Sequence, residues 1–235
     1  ELRAPAAGDW LMYRRTYDGW GHSPLDQIDR GNVADLQLAW VWSMDAGVSQ
    51  PTPLVRDGVI YLTNPENTIQ ALDGATGNLL WEYRRGFPEG FRGGGFTQLR
   101  SIAIYGDKIY VPTKDAWIVA LDARTGEIAW EVPLGINDLL PEGKQRVGSP
   151  GQGGPIVTAG GLTFIGATTD RRFRAFDSRT GEELWSVAFD YNVQAVPMTY
   201  QGSDGEQYVA VNVSAPATAE PRGNERLVVF GLPDQ

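Results

Sequence analysis

One pattern occurs three times in this chain and limits its fold more than any other feature. Ala71-Leu72-Asp73-Gly74-Ala75-Thr76-Gly77 leads to Trp81, Ala120-Leu121-Asp122-Ala123-Arg124-Thr125-Gly126 leads to Trp130, and Ala175-Phe176-Asp177-Ser178-Arg179-Thr180-Gly181 leads to Trp185. All three read A-[LF]-D-x-x-T-G-x-x-x-W, and successive copies start 49 and 55 residues apart. Repeats of about this period, rich in short strands, mark the blades of a β-propeller. Within the pattern, Asp and Thr supply local hydrogen bonds across a tight turn. The Gly gives a positive φ where the turn needs one. The Trp on the strand that follows has a ring large enough to fill the gap between neighbouring blades.

Upstream of each motif stand two apolar runs joined by a glycine turn. Pro53-Leu54-Val55 passes through Asp57-Gly58 into Val59-Ile60-Tyr61-Leu62. Ile102-Ala103-Ile104-Tyr105 passes through Gly106-Asp107 into Ile109-Tyr110-Val111, and Pro155-Ile156-Val157 through Gly160-Gly161 into Leu162-Thr163-Phe164-Ile165. Their turn residues and β-branched and aromatic content predict hairpins, so each unit supplies the four strands of one blade. A fourth unit, at Val196–Tyr200, Tyr208–Val213 and Leu227–Phe230, supplies three strands and no motif. Leu38-Ala39-Trp40-Val41-Trp42 is the candidate for its fourth. The expectation is an all-β, single-domain propeller of about four antiparallel four-stranded blades, at residues 49–86, 98–135, 151–189, and 193–232 plus 37–44. Strands from the two ends of the chain would then share a blade and close the ring, which removes an exposed edge. The 29 glycines and 15 prolines among 235 residues suit such a turn-rich fold and exclude a helical bundle.

Composition also excludes function classes. The chain has no cysteine and one histidine, His22, so disulfides, thiolate zinc sites and multi-histidine metal sites are ruled out. A net charge of −9 disfavours nucleic acid as a partner. No apolar run approaches the ~20 residues that span a bilayer, and no secretory signal pattern is present in the sequence. No phosphate-binding glycine motif, nucleophile elbow or H-E-x-x-H occurs.

Asp9-Trp10-Leu11-Met12-Tyr13, Ser23-Pro24-Leu25-Asp26-Gln27-Ile28, and Asn32-Val33 through Leu38-Ala39-Trp40 resemble the N-terminal region of the pyrroloquinoline-quinone (PQQ) dependent dehydrogenases. Gly153-Gly154-Pro155 through Asp177 and Gln194-Ala195-Val196-Pro197-Met198-Thr199-Tyr200 resemble the last blades of that family's alcohol and glucose branches. The repeat matches the family's tryptophan-docking motif. The resemblance implies a quinoprotein that oxidises an alcohol or sugar, with PQQ as hydride acceptor and calcium or a lanthanide beside it, in the periplasm. Arg100, in Gln98-Leu99-Arg100-Ser101, matches the arginine that pairs with PQQ, although Leu99 replaces the family's Asn. Gln50, in Ser49-Gln50-Pro51-Thr52-Pro53, stands near a Glu that contacts PQQ in some members.

The resemblance also shows what is missing. The family's propeller has eight blades, and here the first two run almost directly into the last two. The middle blades carry the Glu and Asn that hold the metal and the Asp that acts as general base, and no position here matches them. Gly93-Gly94-Gly95 stands where many members carry a cysteine pair. Catalytic and metal-ligating residues therefore have no assignment by resemblance. Pairing of two four-blade chains into one ring, as a homodimer, would leave the acids to Glu66, Asp115 or Asp170. The alternatives are a non-catalytic four-bladed binding or scaffold propeller and an inactive fragment of a longer quinoprotein.

Other residues weigh toward structure. Asp73, Asp122 and Asp177 recur at one repeat position, and an active site seldom needs one residue three times, so they read as turn stabilisers. Asp170-Arg171-Arg172 with Arg174 reads as a charged, solvated blade edge, with an anionic ligand as the other reading. His22, beside Trp20, reads as a surface or packing residue. Asn64-Pro65-Glu66-Asn67 and Lys114-Asp115-Ala116 fall on blade turns, where contact with a ligand at a channel mouth competes with plain turn chemistry.

Overall fold

The computed structural model describes residues 2–16, 18–47, 52–91, 101–151, 153–214 and 225–233. Apart from a three-residue 3-10 turn at Val33–Asp35, its regular structure is all β. The first sheet is β1 (Leu54–Arg56), β2 (Val59–Asn64), β3 (Thr68–Asp73) and β4 (Leu79–Arg84). The second is β5 (Ala103–Tyr105), β6 (Lys108–Pro112), β7 (Trp117–Asp122) and β8 (Ile128–Pro133). The third is β9 (Ile156–Val157), β10 (Leu162–Ile165), β11 (Arg172–Asp177) and β12 (Glu183–Ala188). Each is an antiparallel meander in chain order. The fourth holds β13 (Met198–Gln201), β14 (Gln207–Val213) and β15 (Arg226–Phe230).

The repeated motif folds the same way each time. Asp73 Oδ1 accepts from the backbone N–H of Ala75 and Thr76 at 3.0 and 2.8 Å, and Asp122 Oδ1 accepts from Arg124 and Thr125 at 2.9 Å each. Asp177 Oδ1 accepts from Arg179 at 2.7 Å. These bonds hold all three carboxyls below the usual carboxylate range. The motif glycines sit at φ +74, +75 and +76° (Gly77, Gly126, Gly181), and each has an indole against its Cα. A Cβ on Gly126 would stand 2.6 Å from the Trp81 ring, and one on Gly181 2.5 Å from the Trp130 ring. Trp81 Nε1 donates to Ala123 O at 3.1 Å and Trp130 Nε1 to Ser178 O at 3.0 Å. Each indole thus joins its own sheet to the next one along.

Three apolar cores fill the seams. Tyr61, Ile69 and Ala71 meet Ile104, Ile109 and Val119 between the first and second sheets. Tyr110, Ala120 and Trp130 meet Val157, Ile165 and Phe176 between the second and third. Phe173 meets Val211 and Val213 between the third and fourth. Among the described residues these clusters join the sheets in succession, as an arc from the first to the fourth.

One expected feature differs. Residues 37–44 are not a strand of the fourth sheet, which among the described residues has three strands and leaves one edge of β15 unpaired. The segment lies on the first sheet instead. Trp40 Nε1 donates to Gly74 O at 3.2 Å, its ring covers Gly77, and Trp42 Nε1 donates to Gln70 Oε1 at 2.9 Å. The pull of that indole site is local, whereas closure would need the arc's two ends to meet.

Candidate functional site

Because the sheets are antiparallel, the β2–β3, β6–β7 and β10–β11 turns share one face with the loops that follow β4, β8 and β12. Gln50 and Arg100 are the two residues matched to cofactor contacts in the sequence. Both residues lie outside the described residues, as does Gly93-Gly94-Gly95.

The first cluster on this face centres on Asp115. Its side chain is 4% exposed and takes Arg85 Nε at 2.6 Å. Asn67, wholly buried at φ +59°, donates Nδ2 to Asp115 Oδ1 at 3.0 Å and accepts from the Lys114 backbone N–H at 2.7 Å. The Arg85 guanidinium also reaches Glu131 at 2.5 Å and lies 5.1 Å over the Trp117 ring. Burial alone would favour neutral Arg85, but its bonds to Tyr83, Asp115 and Glu131 outweigh that and raise its pKa. Lys114, on the same turn, is partly buried, and burial lowers its pKa against the opposing pull of Glu66. Glu66 itself is exposed, at φ +64°.

The second cluster corrects the reading of the 170–174 run as a solvated edge. Arg174 is wholly buried and pairs with Asp170, whose side chain is 3% exposed. Asp170 also accepts from the Ile136 and Arg172 backbone N–H groups at 2.9 and 3.2 Å and from the Thr168 hydroxyl. Burial pushes the Asp170 carboxyl up, and the Arg174 bonds, helped by Thr168 and Ile136, bring it below its ordinary value. Arg172 grips Asp138 with both terminal nitrogens at 3.0 and 3.2 Å. Arg172 and Arg174 are thus each held by a carboxylate, whereas Arg171 is exposed and reaches the Asp190 carbonyl at 3.5 Å.

Asp115 and Asp170 are therefore engaged by arginines, and Glu66 stands apart in solvent. Among the described residues no group of three His, Cys, Asp or Glu side chains gathers as a metal site. A hard cation needs several oxygens at about 2.3–2.6 Å, so the described residues do not fit calcium or a lanthanide. His22 is exposed, as a surface residue. A cleft of about 480 Å³ lined by Tyr61, Trp81, Asp107 and Arg124 opens at the opposite ends of the strands, away from the loop face. Sequence reasoning missed Arg85 and Thr168, and placed Asn67 on a blade turn without its bond to Asp115. Strand alternation through Trp81, Tyr83 and Arg85 was the available signal for the first; the other two act only through turn geometry.

Three four-stranded meanders joined in succession by indoles, with a three-stranded fourth sheet packed on the third, define a β-propeller fold. The chain belongs to the family of PQQ enzymes described as the glucose/ethanol/alcohol dehydrogenase β-propeller domain, whose sequence model matches residues 10–128 and 116–209. It is 42% identical over 191 residues to an alcohol dehydrogenase (quinone) dehydrogenase subunit of Gluconacetobacter polyoxogenes, covering 76% of this chain and 25% of that one. Among solved structures it resembles a quinohemoprotein alcohol dehydrogenase from Comamonas testosteroni (TM-score 0.68, 25% identity, 89% of this chain and 36% of that one). It also resembles a europium-containing methanol dehydrogenase (TM-score 0.63, 26% identity, 86% and 34%). The chain thus spans about a quarter of the length of the curated relatives it matches. Among the described residues no helix is long and apolar enough to cross a membrane.

Proposed function

We propose that this propeller binds PQQ on its loop face and serves the oxidation of an alcohol or sugar in the periplasm. The observation that carries the reading is the family match, which runs unbroken through the segment holding Arg100. PQQ is a tricarboxylate, and a guanidinium suits a carboxylate by bidentate pairing. Arg100 would hold one carboxylate, with Gln50 donating from the preceding loop. Lys114 is partly buried on the same face with no carboxylate in direct contact among the described residues, which suits a second PQQ carboxylate. Bound PQQ would supply the hydride acceptor. No described residue is assigned as the base that takes the hydroxyl proton, and no step is routed through a metal ion.

A second reading has its own observation: Asp115 and Asp170 are both neutralised by arginines. It makes the chain a binding propeller that holds the quinone without turnover. Reduction of a redox dye by purified protein with PQQ, calcium or a lanthanide, and an alcohol or sugar separates the two. Substrate-dependent reduction supports the dehydrogenase. Saturable PQQ binding without reduction supports the binding propeller, and no PQQ binding at micromolar concentrations refutes both.

A further inference from the structure

Among the described residues the last sheet has no fourth strand, and residues 38–44 run along the first sheet without belonging to any sheet. β15 pairs with β14 on one side only, and its Leu227 and Val229 are 66% and 42% exposed. Residues 38–44 pair with no strand among the described residues, yet residues 40–42 alternate as a strand does: Trp40 and Trp42 face the first sheet, while Val41 between them is 71% exposed. Trp40 sits on Gly77 and Gly74 O as Trp81 sits on Gly126 and Ala123 O, and as Trp130 sits on Gly181 and Ser178 O. Trp81 and Trp130 each belong to the outer strand of the sheet before the one they cover. By that rule residues 38–44 are the outer strand of a sheet preceding the first.

We propose that a second copy of this chain supplies the rest of that sheet. Residues 38–44 of each copy pair antiparallel with β15 of the other, and a two-fold axis joins two arcs into one closed ring. Self-closure is disfavoured because, among the described residues, the apolar cores join the sheets in succession, and the arc superposes on 36% of a much longer chain. An unpaired edge is a ready template for another chain. Trp20, Leu25, Ile28 and Leu36, between 58% and 78% exposed, add an apolar surface of the kind that marks a contact.

The register follows from the other sheets. Tyr61, Ala71 and Trp81 stand abreast, as do Tyr110, Ala120 and Trp130, and Phe164, Ala175 and Trp185. Val209 holds the equivalent place, three or four residues after the turn glycine, and faces Phe230. Trp40 then falls opposite Phe230, and Val41 opposite Val229. This pairing rests on the fold and is independent of the proposed activity.

The chain has no cysteine, so cross-linking is clean. Val41→Cys and Val229→Cys are made as separate proteins, mixed and mildly oxidised. The expected result is a covalent dimer in the mixture and in neither protein alone. Sedimentation of the unmodified protein, which no variant can compromise, should give twice 25.7 kDa. A 25.7 kDa particle at tens of micromolar overturns the proposal. So does a dimer whose mixed, folded cysteine variants fail to cross-link, or an intrachain disulfide in a monomeric double variant.

Discussion

Removing one methyl-sized space should test how the blades are joined. Gly181 sits at φ +76° with the Trp130 ring against it, so Gly181→Ala meets two penalties. An alanine in left-handed backbone costs about 1–2 kcal/mol. Its Cβ would stand 2.5 Å from Trp130 Cε3, so the indole must leave its seat. That displacement endangers the 3.0 Å bond to Ser178 O and the packing on Tyr110, whose ring centroid is 6.0 Å away. Trp130, 9% exposed, should cost about 3–5 kcal/mol as Trp130→Ala. The two changes share one contact, so their effects should not add. In the Trp130→Ala background, Gly181→Ala should retain only its backbone penalty, leaving a coupling of at least about 1 kcal/mol. Urea unfolding of the four proteins, followed by far-ultraviolet circular dichroism, measures it. Equal costs of Gly181→Ala in both backgrounds would refute the indole seat as the joint between sheets.

Trp185→Ala should cost less than Trp130→Ala in the same assay, because Trp185 is 40% exposed. Asp170→Asn strands the buried Arg174 charge and should cost about 3–5 kcal/mol, whereas Asp170→Asn with Arg174→Met should recover part of that loss in urea midpoints. The carboxyls of Asp73, Asp122, Asp170 and Asp177 all lie below their ordinary value in the folded state. Their contribution is therefore complete above the unfolded pKa of about 3.9 and is lost as pH falls through the lower folded values. Urea midpoints should be flat from pH 7 to 5 and fall below pH 4; a midpoint that rises on acidification would contradict this. Asp115→Asn should lower thermal stability by freeing Arg85, without changing the response to calcium, read by thermal scans with and without the ion.

Three sheets were legible because one motif carries its own turn, its positive-φ glycine and its indole. The same motif was less informative at Trp185, since Leu227–Leu232 offers that indole no D-x-x-T-G turn. Residues 37–44 were expected as a strand and are not one; they lie on the first sheet through Trp40 and Trp42, a long-range seat that no local pattern encodes. Arg174 looked like a surface charge because Asp170 is not its neighbour along a strand. Their pairing needs the tight β10–β11 turn, where Ala167 and Arg171 take φ +62 and +60°. The carboxylates on the loop face looked free for the same reason: Arg85 and Asp115 are 30 residues apart and meet only across a seam.

Calorimetric titration of the purified protein with PQQ, with Arg100→Ala alongside, tests the central claim most directly. The account predicts saturable binding at micromolar concentrations and at least a ten-fold weaker affinity in the variant, with unfolding midpoints unchanged. Absence of heat, or equal affinity in the two proteins, would contradict it.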